Sequence, residues 1–446
     1  MEIVEETGEL GWNAVDISHE TFHLDIPRDN QEYASINLPI HSSFVDIFLM
    51  YMPISFIEDV WEFWGPSHWV YGSSNNPATI NCGYCDIKAV YTMLAVYIRL
   101  CGLQNPTKGN EKNERPLRNV INESLTAIKQ SHPDHHFSGE TIIETLISRF
   151  HIPKELYVQL GKHLEGVIGH CGRSLICDEK LLHFTGESAL IRKISSKPDK
   201  IGFWFYEAVC MLDAKTPYLL LSRVQDTCAN TKTHISCDEI LEEWGNIAIR
   251  YKIRNCYSNP LLVFDSYYTV NAGRNYLNDH NVNFIGSCNT VRFRGLVAAM
   301  KLCKQFVKKP GDTGCIYHPG KHEIFVNHID PDNEIGNKHV LSNAFSPVLG
   351  TRSAENTIPV YDHYKLLFGG CDKFNRNLHK RLYCFKTGGK DKKGSTGHVH
   401  KFYMGAILQN VMAVYTQLHP ETKDELSFMQ MCLELSGELI EYVTTL

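Results

Sequence analysis

The sequence predicts an α/β fold: a mixed sheet flanked by helices, with an N-terminal helical region and an insertion. Three observations predict it. Leu261-Leu262-Val263-Phe264 is a short run without polar alternation, as in a central strand covered on both faces, and it ends abruptly in Asp265. Around it, strand-like segments rich in Phe, Trp, Tyr, Val and Ile alternate with helical ones. Strands at 174–179, 189–194, 201–212 and 218–222 precede a short helix at 237–244; the 261–264 strand precedes a helix at 272–278 and a strand at 283–286. Upstream of residue 170 the apolar spacing is mostly helical.

Taken in order, residues 1–35 are acidic and weakly patterned, an arm or extended lead. Residues 36–170 are the helical region. Its longest helix runs from Asp86 to Leu100 and is closed by Gly102, a residue suited to a helix C-terminus. A polar linker at 105–118, a helical stretch from Ser138 to Phe150 and an amphipathic helix at 154–167 follow. Residues 171–290 form the first part of the sheet core. Residues 291–362 fit that pattern poorly, carry scattered Lys and Arg and a Pro-Gly turn, and read as an inserted domain. Residues 363–446 complete the core and end in helices at 402–417 and 425–443.

Composition narrows the classes. A chain of 446 residues is too long for one ordinary compact domain. The apolar run Phe44–Trp64 is broken by Asp46, Pro53, Glu58, Asp59 and Glu62, so it does not span a bilayer. No membrane association is expected. Fifteen cysteines include one Cys-x-x-Cys pair, Cys82 and Cys85, with no second pair nearby to complete a zinc site. Met1–Leu10 is acidic and lacks the pattern of a signal peptide, so the cysteines read as reduced intracellular thiols. The net charge of −6 argues against nucleic acid only weakly, because binding follows where charges lie and not their sum.

Three acids stand at expected element boundaries: Asp178, Asp265 and Asp372. Taken alone, Asp265 reads better as a residue that closes its strand than as a ligand. Taken together, three converging carboxylates are hard oxygen ligands for Mg²⁺ or Mn²⁺. Two such ions roughly 3.5–4 Å apart hold the attacking and leaving oxygens of a phosphodiester displacement. Among fifty acidic residues, however, many such triples exist.

The surrounding motifs give the triple a context. Cys177-Asp178-Glu179, then Thr185-Gly186, then Lys197-Pro198-Asp199-Lys200-Ile201-Gly202 resemble the first catalytic block of the piggyBac transposase family. Asp265-Ser266-Tyr267-Tyr268 resembles its second block, Gly369-Gly370-Cys371-Asp372 its third, and Lys401-Phe402-Tyr403 a downstream Lys-Trp-Trp. The resemblance covers about residues 86–420. It implies a ribonuclease-H-like core, with Asp178, Asp265 and Asp372 as catalytic residues and ligands of two Mg²⁺ or Mn²⁺ ions. It further implies DNA strand cleavage and joining at transposon ends, TTAA target sites in double-stranded DNA, a homodimer and a nuclear location. Carried over by position, Arg192, Lys197 and Lys200 lie near the phosphate backbone.

The basic run from Lys373 to Lys401 includes Lys380 and Arg381. It reads either as a solvated face or as a phosphate contact. Phe402 and Tyr403 read either as a stacking platform for an unpaired base or as core residues of the next helix. His398 and His400 read as solvated loop histidines, Cys371 as a small apolar filler, and Asp330 and Asp332 as part of a Pro331 turn. The chain departs from the family at Ser266, where Asn is usual, and at Asn375-Arg376, where Asp-Gln is common. No cysteine-rich segment follows the last helix. These departures motivate a second expectation: a domesticated, catalytically lapsed protein that binds DNA or other partners. A ribonuclease-H-like nuclease outside transposition is a third.

Overall fold

The fold is seen in a computed structural model that describes residues 3–7, 12–15, 20–24, 34–68, 87–103, 117–133, 143–144, 146–147, 150, 152–172, 174–183, 191–193, 201–224, 237–255, 261–269, 271–288, 307–310, 312–318, 323–329, 337–349, 359–379 and 396–445. Strands β1 (Ile3–Thr7), β2 (Trp12–Val15), β3 (Glu20–Leu24) and β4 (Ser35–Ile36) precede five helices. These are α1 (Phe44–Tyr51), α2 (Ile54–His68), α3 (Ile87–Gly102), α4 (Leu117–Ser131) and α5 (Tyr157–Glu165). Next come β5 (Ile168–His170), β6 (Ser174–His183), β7 (Ile191–Lys193), β8 (Ile201–Met211) and β9 (Pro217–Val224). Helix α6 (Cys237–Asn255), β10 (Leu261–Phe264), α7 (Asn271–Asp279) and β11 (Asn283–Ser287) follow. The chain continues through β12 (Thr313–His318), β13 (Glu323–Ile329), β14 (Asn337–Ser342) and β15 (Phe345–Leu349), and ends in α8 (Pro359–His379), α9 (Thr396–Leu418) and α10 (Phe428–Thr445).

One mixed sheet holds eleven strands, ordered β1-β2-β12-β13-β14-β11-β10-β6-β8-β7, with β9 also on β8. Its middle is β10, parallel to both β6 and β11, and all four of its residues are buried. That is what an apolar run without alternation demands. The outer pairs are antiparallel, and β12 to β14 extend the sheet beyond β11. The described parts of the acidic lead are strands: β2 pairs with β12, and β3 pairs with β15 in a separate two-stranded ribbon.

Helices cover the sheet and build a layer beside it. Ser43 starts α1 with a capping box: its hydroxyl accepts from Asp46 N, and Asp46 Oδ2 accepts from Ser43 N at 2.9 Å. Nearly every side chain from Ala89 to Gly102 is buried, as expected for a helix apolar all round. Its end packs so closely on α10 that a Cβ at Gly102 would meet Cys432 Cβ at 2.6 Å. Helix α6 runs well past residue 244, because Ile247 and Ala248 continue its apolar face. Asn410 of α9 pins the sheet where the ladder slips between Ala208↔Leu221 and Val209↔Leu219: its amide accepts from Leu219 N (3.0 Å) and donates to Leu219 O (2.8 Å).

Two expectations are corrected here. Phe402 and Tyr403 are fully buried and offer no platform to a base. Phe402 stacks on Phe205 at 4.0 Å, and the Tyr403 hydroxyl donates to Ser222 O, so both fasten α9 to the sheet. His400, two residues before Phe402 in the same helix, is buried between Tyr97 and Phe150 and is no loop histidine. The helix begins at Thr396, earlier than the apolar run suggests, which draws His400 into the core.

Inside the sheet's far half, Arg274 Nη1 donates to Glu323 Oε2 at 2.7 Å, with side-chain exposures of 4% and 1%. Asn278 donates to the other carboxylate oxygen, and Asn343 donates to Asn278 Oδ1. This network ties α7 to β13. Arg274→Met strands a buried carboxylate and should destabilise the fold by about 3–5 kcal/mol in urea denaturation, whereas Arg274→Met with Glu323→Leu should recover most of that loss.

Candidate functional site

The register of the sheet brings two distant acids together. Phe264 lies opposite Cys177 in the parallel β10–β6 pair, so Asp265 emerges beside Asp178. Asp178, Glu179 and Asp265 each offer a carboxylate oxygen, all within 4.8 Å of one another, and all three are half-buried. Local bonds fix them. Asp178 Oδ1 accepts from Glu179 N at 2.8 Å, and Asp265 Oδ1 accepts from Tyr267 N at 2.7 Å. The Tyr268 hydroxyl donates to Glu179 Oε2 at 2.7 Å. Asp265 therefore does both things its sequence allowed: it turns the chain after the strand and faces the other acids.

Burial pushes the Tyr268 phenol well above its ordinary pKa, and the adjacent Glu179 adds to this, so it stays a donor. Tyr364 of α8 reaches the same region and bonds to Ser287; burial raises its phenol as well, and Asp265 and Asp178 add to the shift. Three carboxylates this close repel unless a cation or a proton intervenes. The donor set is all hard oxygen, which suits Mg²⁺ or Mn²⁺.

Asp372 stands elsewhere. It is exposed on α8 and is not part of the close group. Nor does it mark an element boundary: Gly369-Gly370-Cys371-Asp372 lies within a helix of 21 residues. The helix approaches the strand of Asp178 here because Gly370 has no side chain; a Cβ there would meet Ile176 Cδ1 at 2.3 Å. Cys371 Sγ donates to Ile176 O at 3.2 Å and fills the contact as a small buried residue. Asp178 is likewise within its strand, which runs on to His183. Arg192 is in β7 opposite Gly202, and Lys401 is half-buried in α9. Lys197, Lys200, Lys380 and Arg381 lie outside the described residues, as do Cys82, Cys85, Asp330 and Asp332.

Two acids escaped the sequence reading. Glu179 follows Asp178 in a strand, where alternation aims it at the opposite face; the bond from Tyr268 draws it into the group. Glu207 is a fully buried carboxyl opposite Asp178 on β8, and its one signal was an acid within a long apolar strand. Asn375 of α8 donates to Glu207 Oε2 at 2.8 Å. Glu207 Oε1 and Asn375 Oδ1 are both buried without a hydrogen-bond partner among the described residues. Burial pushes the Glu207 carboxyl up to about 7, opposed by Asn375 and Lys180 and assisted by Glu179 and Asp372. A proton on it gives this buried carboxyl a donor of its own.

No protein-family model matches this sequence, and no curated protein does. The fold nonetheless has a counterpart among solved structures. A cryo-EM structure of a piggyBac transposase synaptic complex with hairpin DNA superposes with a TM-score of 0.69, covering 93% of this chain and 84% of that one at 11% sequence identity. The likeness read from the motifs is thus a likeness of fold over nearly the whole chain.

The raised Glu207 carboxyl sets a pH dependence. Its folded pKa lies above the unfolded value of 4.5, so its contribution to stability is complete below that value and is lost as pH rises through about 7. The loss is on the order of 3 kcal/mol. Without added divalent metal, Glu207→Gln should flatten the stability profile across this window in chemical denaturation.

Proposed function

We propose that this chain is a piggyBac-like transposase, or a protein derived from one, that cleaves and joins DNA strands with a divalent metal. The observation that carries the reading is the meeting of Asp178 and Asp265, from strands far apart in sequence, in the fold of a transposase solved on DNA. Asp178, Asp265 and Asp372 are the proposed ligands of two Mg²⁺ or Mn²⁺ ions, with Glu179 beside them. Such ions, when bound, activate water, or a freed 3′ hydroxyl, as nucleophile and stabilise the leaving oxygen.

The chain's own groups orient and neutralise. The Tyr268 hydroxyl and the Tyr267 amide hold Glu179 and Asp265 in place. Arg192, Lys197, Lys200, Lys380, Arg381 and Lys401 are the proposed phosphate contacts. Double-stranded DNA bearing transposon ends and a TTAA target, a homodimer through the N-terminal helices and a nuclear location complete the reading. Positioning and charge neutralisation suffice for this chemistry, which needs no protein nucleophile.

A second reading is a domesticated protein that binds DNA or partners without cutting. Asn375 favours it, since an amide stands three residues after Asp372 where the family commonly has an acid. So does Asp372 itself, which stands outside the close group. Nicking of supercoiled TTAA-containing plasmid with Mg²⁺ or Mn²⁺ separates the two. The wild type should nick, and Asp265→Ala should fall to the level of the protein-free control. Equal behaviour of the two proteins refutes the enzymatic reading.

A further inference from the structure

Cross-strand partners display their side chains on one face of a sheet. Ile176 pairs with Val209 and Asp178 with Glu207, so these four share the face that α8 crosses. Helix α8 is fastened to that face at Ile176, where Cys371 Sγ also bonds the strand, and again at Glu207. Gly370 sits on Ile176, where no Cβ fits, and Asn375 bonds Glu207 at 2.8 Å. The two points are five residues apart, about 7.5 Å along the axis. Asp372 lies between them at the helix's exposed edge.

Contact at one place along a helix lets it pivot there. A second, directional contact further along fixes its rotation as well. We infer that the Glu207–Asn375 pair is a positioning clamp that sets the rotation of α8 and thereby fixes where Asp372 stands relative to Asp178 and Asp265. Neither residue touches substrate in this role. The pair acts through hydrogen bonding and not through charge. This rests on the proposed strand cleavage for its functional consequence, but the clamp itself is a property of the fold.

The roles are separable with full-length protein. Glu207→Gln keeps an acceptor for Asn375 and removes the ionisable group. Glu207→Leu and Asn375→Leu remove the bond. Two measurements are made: hydrogen–deuterium exchange of the amides of residues 359–379, and Mn²⁺-dependent nicking of supercoiled plasmid. Glu207→Gln should match the wild type in exchange and nick within about threefold of it. Each leucine variant should exchange faster in this helix and nick at least tenfold more slowly, and the double variant should lose no more than either single one. The clamp is overturned if Glu207→Gln is as impaired as Glu207→Leu, which makes the charge the active feature, or if the leucine variants protect the helix and nick like wild type. If wild-type protein does not nick, the proposed function fails, and the exchange comparison alone still decides the clamp. Should a leucine variant not fold, Asn375→Ser carries the same comparison.

Discussion

The parallel pairing of β10 between β6 and β11 is the constraint on which the rest depends. Four buried residues, Leu261 to Phe264, fix the register of strands from three separate parts of the chain. A slip of one residue would turn each side chain to the other face. It would move Asp265 away from Asp178 and set a carboxylate into the apolar core. The same register leaves Gly286 against Phe264, where a Cβ would meet the ring at 2.5 Å. Core packing and the acidic group are therefore two outcomes of one alignment.

What lies above that alignment is tuned by burial. Glu207 and Asn375 sit between the sheet and α8, and Tyr268 sits between β10 and α6, stacked edge-on to Trp244 at 4.7 Å. Each is polar, and each is placed where water does not reach. Hydrogen bonds are directional and costly to break in such places. They are well suited to holding carboxylates that would otherwise repel one another apart.

Much of this was legible in the sequence. The apolar run ending in Asp265, the strands around it and the long helix closed by Gly102 all follow from periodicity and punctuation. The meeting of Asp178 and Asp265 came from motif context, because periodicity gives no register between strands so far apart. Asp372 was read as an element boundary because Gly-Gly usually breaks a helix. Here Ile176 needs the vacant space, and the helix runs through. Phe402 and Tyr403 left stacking and core open, and only the packing of Phe205 against them decides it. Glu179 was hidden by the rule of alternation, which the bond from Tyr268 overrides locally.

The contacts between the two ends of the chain bear on how it reaches this state. Glu438 in α10 accepts from Val45 N in α1, and Cys432 lies against Gly102. Helix α3 is apolar on every side and gains its last cover from α10. During synthesis it emerges hundreds of residues before that cover exists. The waiting surface is sticky, and contacts so distant in sequence form slowly. A fragment that stops short of the eighteen-residue helix α10 thus leaves this side of α3 uncovered.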